Sequence, residues 1–224
     1  MFDGFPTSAF AWFAGLERDN SKAYVTATRD VYDARVRDAL EEMLEELTGE
    51  FGGHVKMFRQ YRDVRFSRDK SPYKTTTYGL LVEPNVSGDG LYAQLSARGL
   101  YAGTGYYMMA RDQLERYREA VADDRAGPAL EEATADAEQA GLDVEGQGLA
   151  TAPRGYPRGH PRIELLRRKS IVAGRAYSGE DGIDRDAALA HVAGAWRAAE
   201  PLNAWLDRHV GPSRLPPEPR GARR

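Results

Sequence analysis

Apolar positions recur along the chain in two rhythms that change near residue 55. Pro6-Thr7-Ser8 precedes Phe10, Phe13 and Leu16, which predicts a capped first helix with a break at Asp19-Asn20-Ser21. Val31, Val36, Leu40, Met43, Leu44 and Leu47 then recur at three, four and five residues, tracing roughly one face of a longer second helix. Gly49, Gly52 and Gly53 end it. From residue 55 to 109 the period becomes two, with β-branched and aromatic enrichment and turn signals at Pro72, Pro84-Asn85, Gly88-Asp89-Gly90 and Gly99. This predicts strands at 55–66, 75–83, 91–98 and 100–109, joined by links short enough to favour antiparallel neighbours.

Helical spacing returns at 111–122, with Leu114, Tyr117 and Val121 on one side, and a more polar helix is predicted at 128–140. The Gly/Pro/Arg-rich stretch GLDVEGQGLATAPRGYPRGHPR predicts a surface loop with a short strand at 142–144. A short helix with Pro161 at its first position, a strand at 170–177 and two closing helices at 187–199 and 201–210 follow, the last two anchored by Leu189, Val192, Trp196, Leu202, Trp205 and Leu206. The tail GPSRLPPEPRGARR has no apolar period. The chain shows no internal repeat. The reading is a single α+β domain over 1–210, a mostly antiparallel sheet of about five strands packed by N- and C-terminal helices, with a Pro/Arg-rich tail at 211–224.

Composition narrows the function classes. With 224 residues, 42 % hydrophobic and 29 % charged, the chain buries a core and is not disordered throughout. The opening MFDGFPTSAFAWFAGLE lacks a basic start and meets Glu17 and Arg18 early, and eighteen apolar residues never run together, so a soluble cytoplasmic protein with no membrane partner is expected. Zero cysteines exclude disulfides, thiolate metal sites and a cysteine nucleophile. The histidines at 54, 160, 191 and 209 have no HxH or HExxH spacing, so no metal site is expected, and nothing points to a particular cofactor.

Charge is unevenly placed. The net charge is −3, yet between residues 54 and 78 seven Lys or Arg face only Asp63 and Asp69. This island of five surplus positive charges sits on an acidic remainder. Its centre is RDVRFSRDKSPYKT, residues 62–75.

An extended strand through 58–66 would point Phe58, Gln60, Arg62, Val64 and Phe66 one way and Arg59, Tyr61, Asp63, Arg65 and Ser67 the other. Arg62 then lies on the apolar side and needs a carboxylate or carbonyl partner. Asp63, flanked by arginines, would hold Arg65 rigid. Ser67 to Pro72 is turn chemistry, with Asp69 and Ser71 able to bond nearby amides, so Lys70, Ser71, Tyr73 and Lys74 are presented in a fixed arrangement. Preorganised ammonium, guanidinium and hydroxyl donors are what a phosphate or carboxylate requires. On this reading Arg62 and Asp63 brace the motif, Arg65, Lys70 and Lys74 hold a small anion, and Ser67 and Tyr73 orient it.

Two alternatives stand beside it. Arg62, Asp63, Arg65 and Asp69 also suit a structural ion-pair ladder, and Tyr61, Phe66 and Tyr73 among basic residues suit protein or nucleic-acid binding. There is no GxxxxGK[ST] loop, and whether the chain is an enzyme stays open.

RDVRFSRDKSPYKT resembles the hallmark of a bacterial and fungal family of conserved hypothetical proteins, number twenty-four sixty-one among the domains of unknown function. The opening FDGFPTSAFAWFAGLERDNSKAYVTATRDVY, GTGYYMMARDQLERYREAV and RGYPRGHPRIELLRRKS resemble further family stretches, so the similarity spans roughly residues 2 to 210. The chain departs from the family pattern at Asp19-Asn20, at Ala23-Tyr24 and at Thr104. The resemblance implies an α+β fold and no established activity.

Outside the motif, Gly103-Thr104-Gly105 lies within a strand and suits a bulge or a close backbone approach. His160 suits a helix cap or a general base, Lys169 beside Arg167 and Arg168 suits a second cationic contribution or a solvated run, and Glu164 with Asp69 would make an acid/base pair if brought together. Tyr92, Gln94, Ser96 and Arg98 form a polar strand face opposite Leu91, Ala93, Leu95 and Ala97, expected to be the open side of the sheet and continuous with Arg59, Tyr61 and Arg65.

Overall fold

The computed structural model describes residues 1–65, 67–82 and 90–216. Phe66, the turn signals at 84–85 and 88–89 and the end of the tail lie outside them. The N-terminal part opens with a two-residue strand β1 (Gly4–Phe5) and α1 (Thr7–Arg18), which buries Ala9, Phe10, Trp12, Phe13 and Leu16. Pro6 supplies the extended residue before the helix. The Ser21 hydroxyl accepts from Tyr24 N–H and starts α2 (Lys22–Ala27).

The expected long second helix is a broken one. A single turn α3 (Arg29–Val31) runs into a π-helical stretch, Tyr32–Arg37, before α4 (Asp38–Phe51). The five-residue interval in the apolar pattern is the physical reason, because a π-turn adds one residue to the helical repeat. The stretch turns Tyr32 and Val36 inward, and Val31 stays only half-buried.

The sheet comprises β2 (His54–Met57), β3 (Thr76–Val82), β4 (Leu91–Ser96), β5 (Gly99–Tyr106), β6 (Asp143–Glu145) and β7 (Ile171–Ser178), in the order β2-β3-β4-β5-β7-β6. β2, β3, β4 and β5 pair antiparallel in sequence, with Gly79 opposite Ala93 and Leu95 opposite Leu100. The sheet of about five strands expected from the sequence has six, the predicted segment at 142–144 pairing at its edge as β6. A separate ribbon joins β1 to β8 (Ile183–Asp184). The fold is α+β.

Close packing divides the chain into two units, one holding 1–82, 90–103 and 174–197, the other 104–173 and 198–216. In the first, Thr77, Leu81, Ala93, Leu95, Leu100 and Ala102 form the buried sheet face. A side chain at Gly79 would run into Leu44 of α4, which places that helix on this face. Trp196 of α8 (Arg185–Ala198) donates to Tyr92 O at 3.2 Å and meets Phe51 edge to face.

In the second unit α5 (Arg111–Ala122), α6 (Ala126–Gln139), α7 (Ile163–Arg167) and α9 (Glu200–His209) share a core around Tyr117, Leu130, Leu166, Leu202 and Leu206. The Arg162 guanidinium, 9 % exposed, donates to Val121 O, Ala122 O and Asp123 O and so satisfies the C-terminal carbonyls of α5. Beyond α9 the first residues of the tail are draped: Asp112 accepts from Ser213 Oγ and Arg214 N, and Arg116 donates to Val210 O and Pro212 O.

Candidate anion-binding arm

The expected strand 55–66 keeps its ladder only to Met57. Beyond it Phe58 N–H donates to Tyr78 O, Lys74 N–H to Gln60 O and Arg62 N–H to Pro72 O, and Tyr61 bridges Tyr73. The span 58–61 therefore faces the longer span 73–78, a bulge that breaks the alternation. Phe58 and Gln60 consequently do not share a face as the strand pattern predicts. Phe58 stacks on Tyr78, while Gln60 turns into the core.

Gln60 is the root of the arm. Its amide donates to Lys74 O, and its Oε1 accepts from Thr77 Oγ1 at 2.7 Å and Tyr32 OH at 3.3 Å. Asn20, in the turn between α1 and α2, donates to Tyr73 O and accepts from Tyr73 N–H, standing in for a neighbouring strand. Charge pointed to neither residue. A glutamine at an inward strand position and the helical turn at Asp19-Asn20 singled out through the family resemblance were the available signals.

The loop of the arm is built from short-range electrostatics. Arg62 pairs with Asp69, whose Oδ1 also accepts from Ser71 N–H and Ser71 Oγ. Arg65 makes a two-point contact with Asp63 at 2.9 and 2.6 Å. Ser67 N–H donates to Val64 O. The Lys70 ammonium donates to Val64 O at 3.0 Å, and that of Lys74 to Arg59 O at 2.8 Å and Tyr78 OH at 3.3 Å. The guanidinium groups of Arg59 and Arg68 have no hydrogen bond or ion pair among the described residues. Tyr73 is buried, its ring 5.0 Å from that of the exposed Tyr61.

The Arg65 guanidinium and backbone N–H hold the Asp63 carboxyl at about 2. Arg62, then Ser71, hold Asp69 well below the usual carboxylate range. Both folded values lie below the unfolded one of about 3.9. Their contribution is therefore complete above about pH 4 and lost as pH falls through the folded values. Wild-type urea midpoints should fall between pH 4 and pH 2, and Asp69→Asn should shrink that fall; an unchanged slope would show the pair to be inconsequential.

His160 and Lys169 belong to the second unit. His160 Nδ1 accepts from Arg162 N–H and its carbonyl from Ile163 N–H, the work of a cap before α7. Lys169 is exposed, its backbone paired with Gln147 and Met109. The neighbouring Arg167 donates to Leu149 O and Ala150 O and pairs with Glu164, leaving that carboxylate matched as Asp69 is by Arg62. Gly105 has φ +126°, and its close neighbour is the Ile171 backbone of β7. Among the described residues no three His, Asp or Glu gather as a metal site would need, and no helix is long and apolar enough to cross a membrane. A groove of about 400 Å³ lies elsewhere, walled by Asp38, Glu41, Glu42, Glu45 and Glu46 beside Met1 and Phe2, and these carboxylates would repel an anion.

The fold and arm define an α+β protein with an internally braced basic hairpin. The family model described as conserved hypothetical protein (DUF2461) matches residues 8–205, and the chain belongs to that family. No curated protein matches it. In the turn between α1 and α2 it is Asn20 that grips the arm, while Thr104 pairs with Asn203 in the second unit.

Proposed function

We propose that the arm binds a small anionic ligand carrying a phosphate or carboxylate group. The observation that carries this reading is the mismatch of charge within the loop. Both carboxylates are already engaged by Arg62 and Arg65, whereas Lys70 and Lys74 are oriented by neutral carbonyls that leave their charge uncancelled. Lys70, Lys74, Arg59 and Arg68 would therefore meet the anion, with Ser67 beside them. Arg62, Asp63, Arg65, Asp69, Ser71 and Tyr73 hold the loop in shape.

A thermal-shift screen with inorganic phosphate, sugar phosphates and carboxylates should raise the melting temperature. Lys70→Ala should weaken the best ligand about tenfold, the scale of one hydrogen bond to a charged group. The two arginine–aspartate pairs favour a second reading, in which the motif only braces the arm. That reading is right if no ligand of either class binds and Arg65→Ala lowers stability alone. Oligonucleotide affinity falling steeply with salt would instead support nucleic-acid binding.

A further inference from the structure

Four aromatic rings run in a row from the root of the arm across the sheet. The centroids of Phe58 and Tyr78 lie 4.7 Å apart, those of Tyr78 and Tyr92 5.4 Å, and those of Tyr92 and Tyr101 6.1 Å. Tyr78, Tyr92 and Tyr101 occupy the strand positions that alternate with the buried ones, so the row lies on the face opposite α4. Each ring is only half-buried. Aromatic surface left partly open on a sheet is a recognised place for flat ligands.

Three details give the row a polarity. At the arm end the Lys74 ammonium sits 4.7 Å from the Tyr78 ring centre while held by Arg59 O, so a cation of the arm is also the first element of the row. At the far end Tyr101 lies across β7: the space a side chain at Gly174 would take is filled by its ring and hydroxyl. The ring is also turned by 66° from that of Tyr92. Between them Gln94 lies opposite both Tyr78 and Tyr101 in register. Its Oε1 accepts from Tyr92 OH, and its NH₂ donates to no partner among the described residues.

We infer that the anionic ligand is a nucleoside phosphate, with its phosphate on the arm cations, its base against Tyr92 and Tyr101, and the Gln94 amide facing the base edge. This deepens the anion-binding reading and rests on it. A nucleotide joins a charged group to a flat ring through one sugar, which matches the order of cation, amide and aromatic surface here. A long polyanion fits less well, because the five surplus positive charges are local and the rest of the chain is acidic.

Calorimetric titration of the full chain with the four ribonucleoside 5′-monophosphates, ribose 5-phosphate and adenosine tests this. At least one nucleotide should bind about tenfold or more tighter than ribose 5-phosphate, the scale of one base stacking on an aromatic side chain. Tyr101→Leu should bring that ratio close to one with ribose 5-phosphate affinity unchanged, and Tyr101→Phe should retain it. Gln94→Leu, which leaves the rings in place, should change the preference among the four bases. Lys74→Ala should weaken nucleotide and sugar phosphate alike. If ribose 5-phosphate binds as tightly as every nucleotide, the base plays no part: the inference falls and the arm reading survives. If no phosphate compound binds, both fall. Binding of an oligonucleotide without any monophosphate would replace the inference with a nucleic-acid surface.

Discussion

Gln60→Leu is expected to lower the unfolding free energy by about 3 kcal/mol, the sum expected when buried polar groups lose their partners. The substitution keeps the size of the side chain but removes the acceptor of Tyr32 OH and Thr77 Oγ1 and the donor to Lys74 O. Those groups lie where water reaches poorly, since Gln60 is 7 % and Thr77 1 % exposed. Adding Thr77→Val removes one stranded hydroxyl and should recover part of the loss. Urea unfolding of the two single variants and the double one gives the coupling directly. Strictly additive losses would mean that the network is not the cause.

The second large effect is expected at Gly105. Its φ of +126° is unfavourable for any side chain, and a Cβ there would overlap Ile171 O and Val172 Cα. A backbone neighbour cannot rotate away, so Gly105→Ala should cost more than about 3 kcal/mol, strain and steric overlap together, or prevent soluble expression. Gly141 separates the two causes. It has φ +81° with no atom within 4 Å of the added Cβ. Gly141→Ala should therefore cost only about 1–2 kcal/mol, the left-handed strain alone. Equal losses at the two positions would rule out the overlap as the larger cause.

How far these features were legible in the sequence depends on the range of the interaction behind each. Helices with steady apolar spacing, such as 111–122, were placed to the residue, because amphipathic burial needs only local pattern. The alternation at 91–96 likewise assigned Ala93 and Leu95 inward and Tyr92 and Gln94 outward. The extent of the strand after Met57 was not legible. The bulge is set by partners in other elements, Tyr32 and Asn20, and no local period encodes them. The π-helical stretch left a trace in the five-residue interval, but an interval is compatible with ordinary slippage of an apolar face.

The charged loop shows the same division. Residue types foretold ion pairing, and Arg62 pairs with Asp69, although at 29 % exposure its side chain is not buried on an apolar strand face. The choice of Asp69, with Asp63 reserved for Arg65, follows from the turn that brings residue 69 back beside 62. Arg162 was hidden for the opposite reason: in a Gly/Pro/Arg-rich stretch it looked like one more solvated cation, yet it fills the end of α5.

Asn20 has one more consequence. Sheet margins carry rows of bare amides that invite a strand from another molecule. By covering both backbone groups of Tyr73, a single carboxamide closes that position of the arm to intermolecular zippering. A strand adding at this margin would first have to displace Asn20.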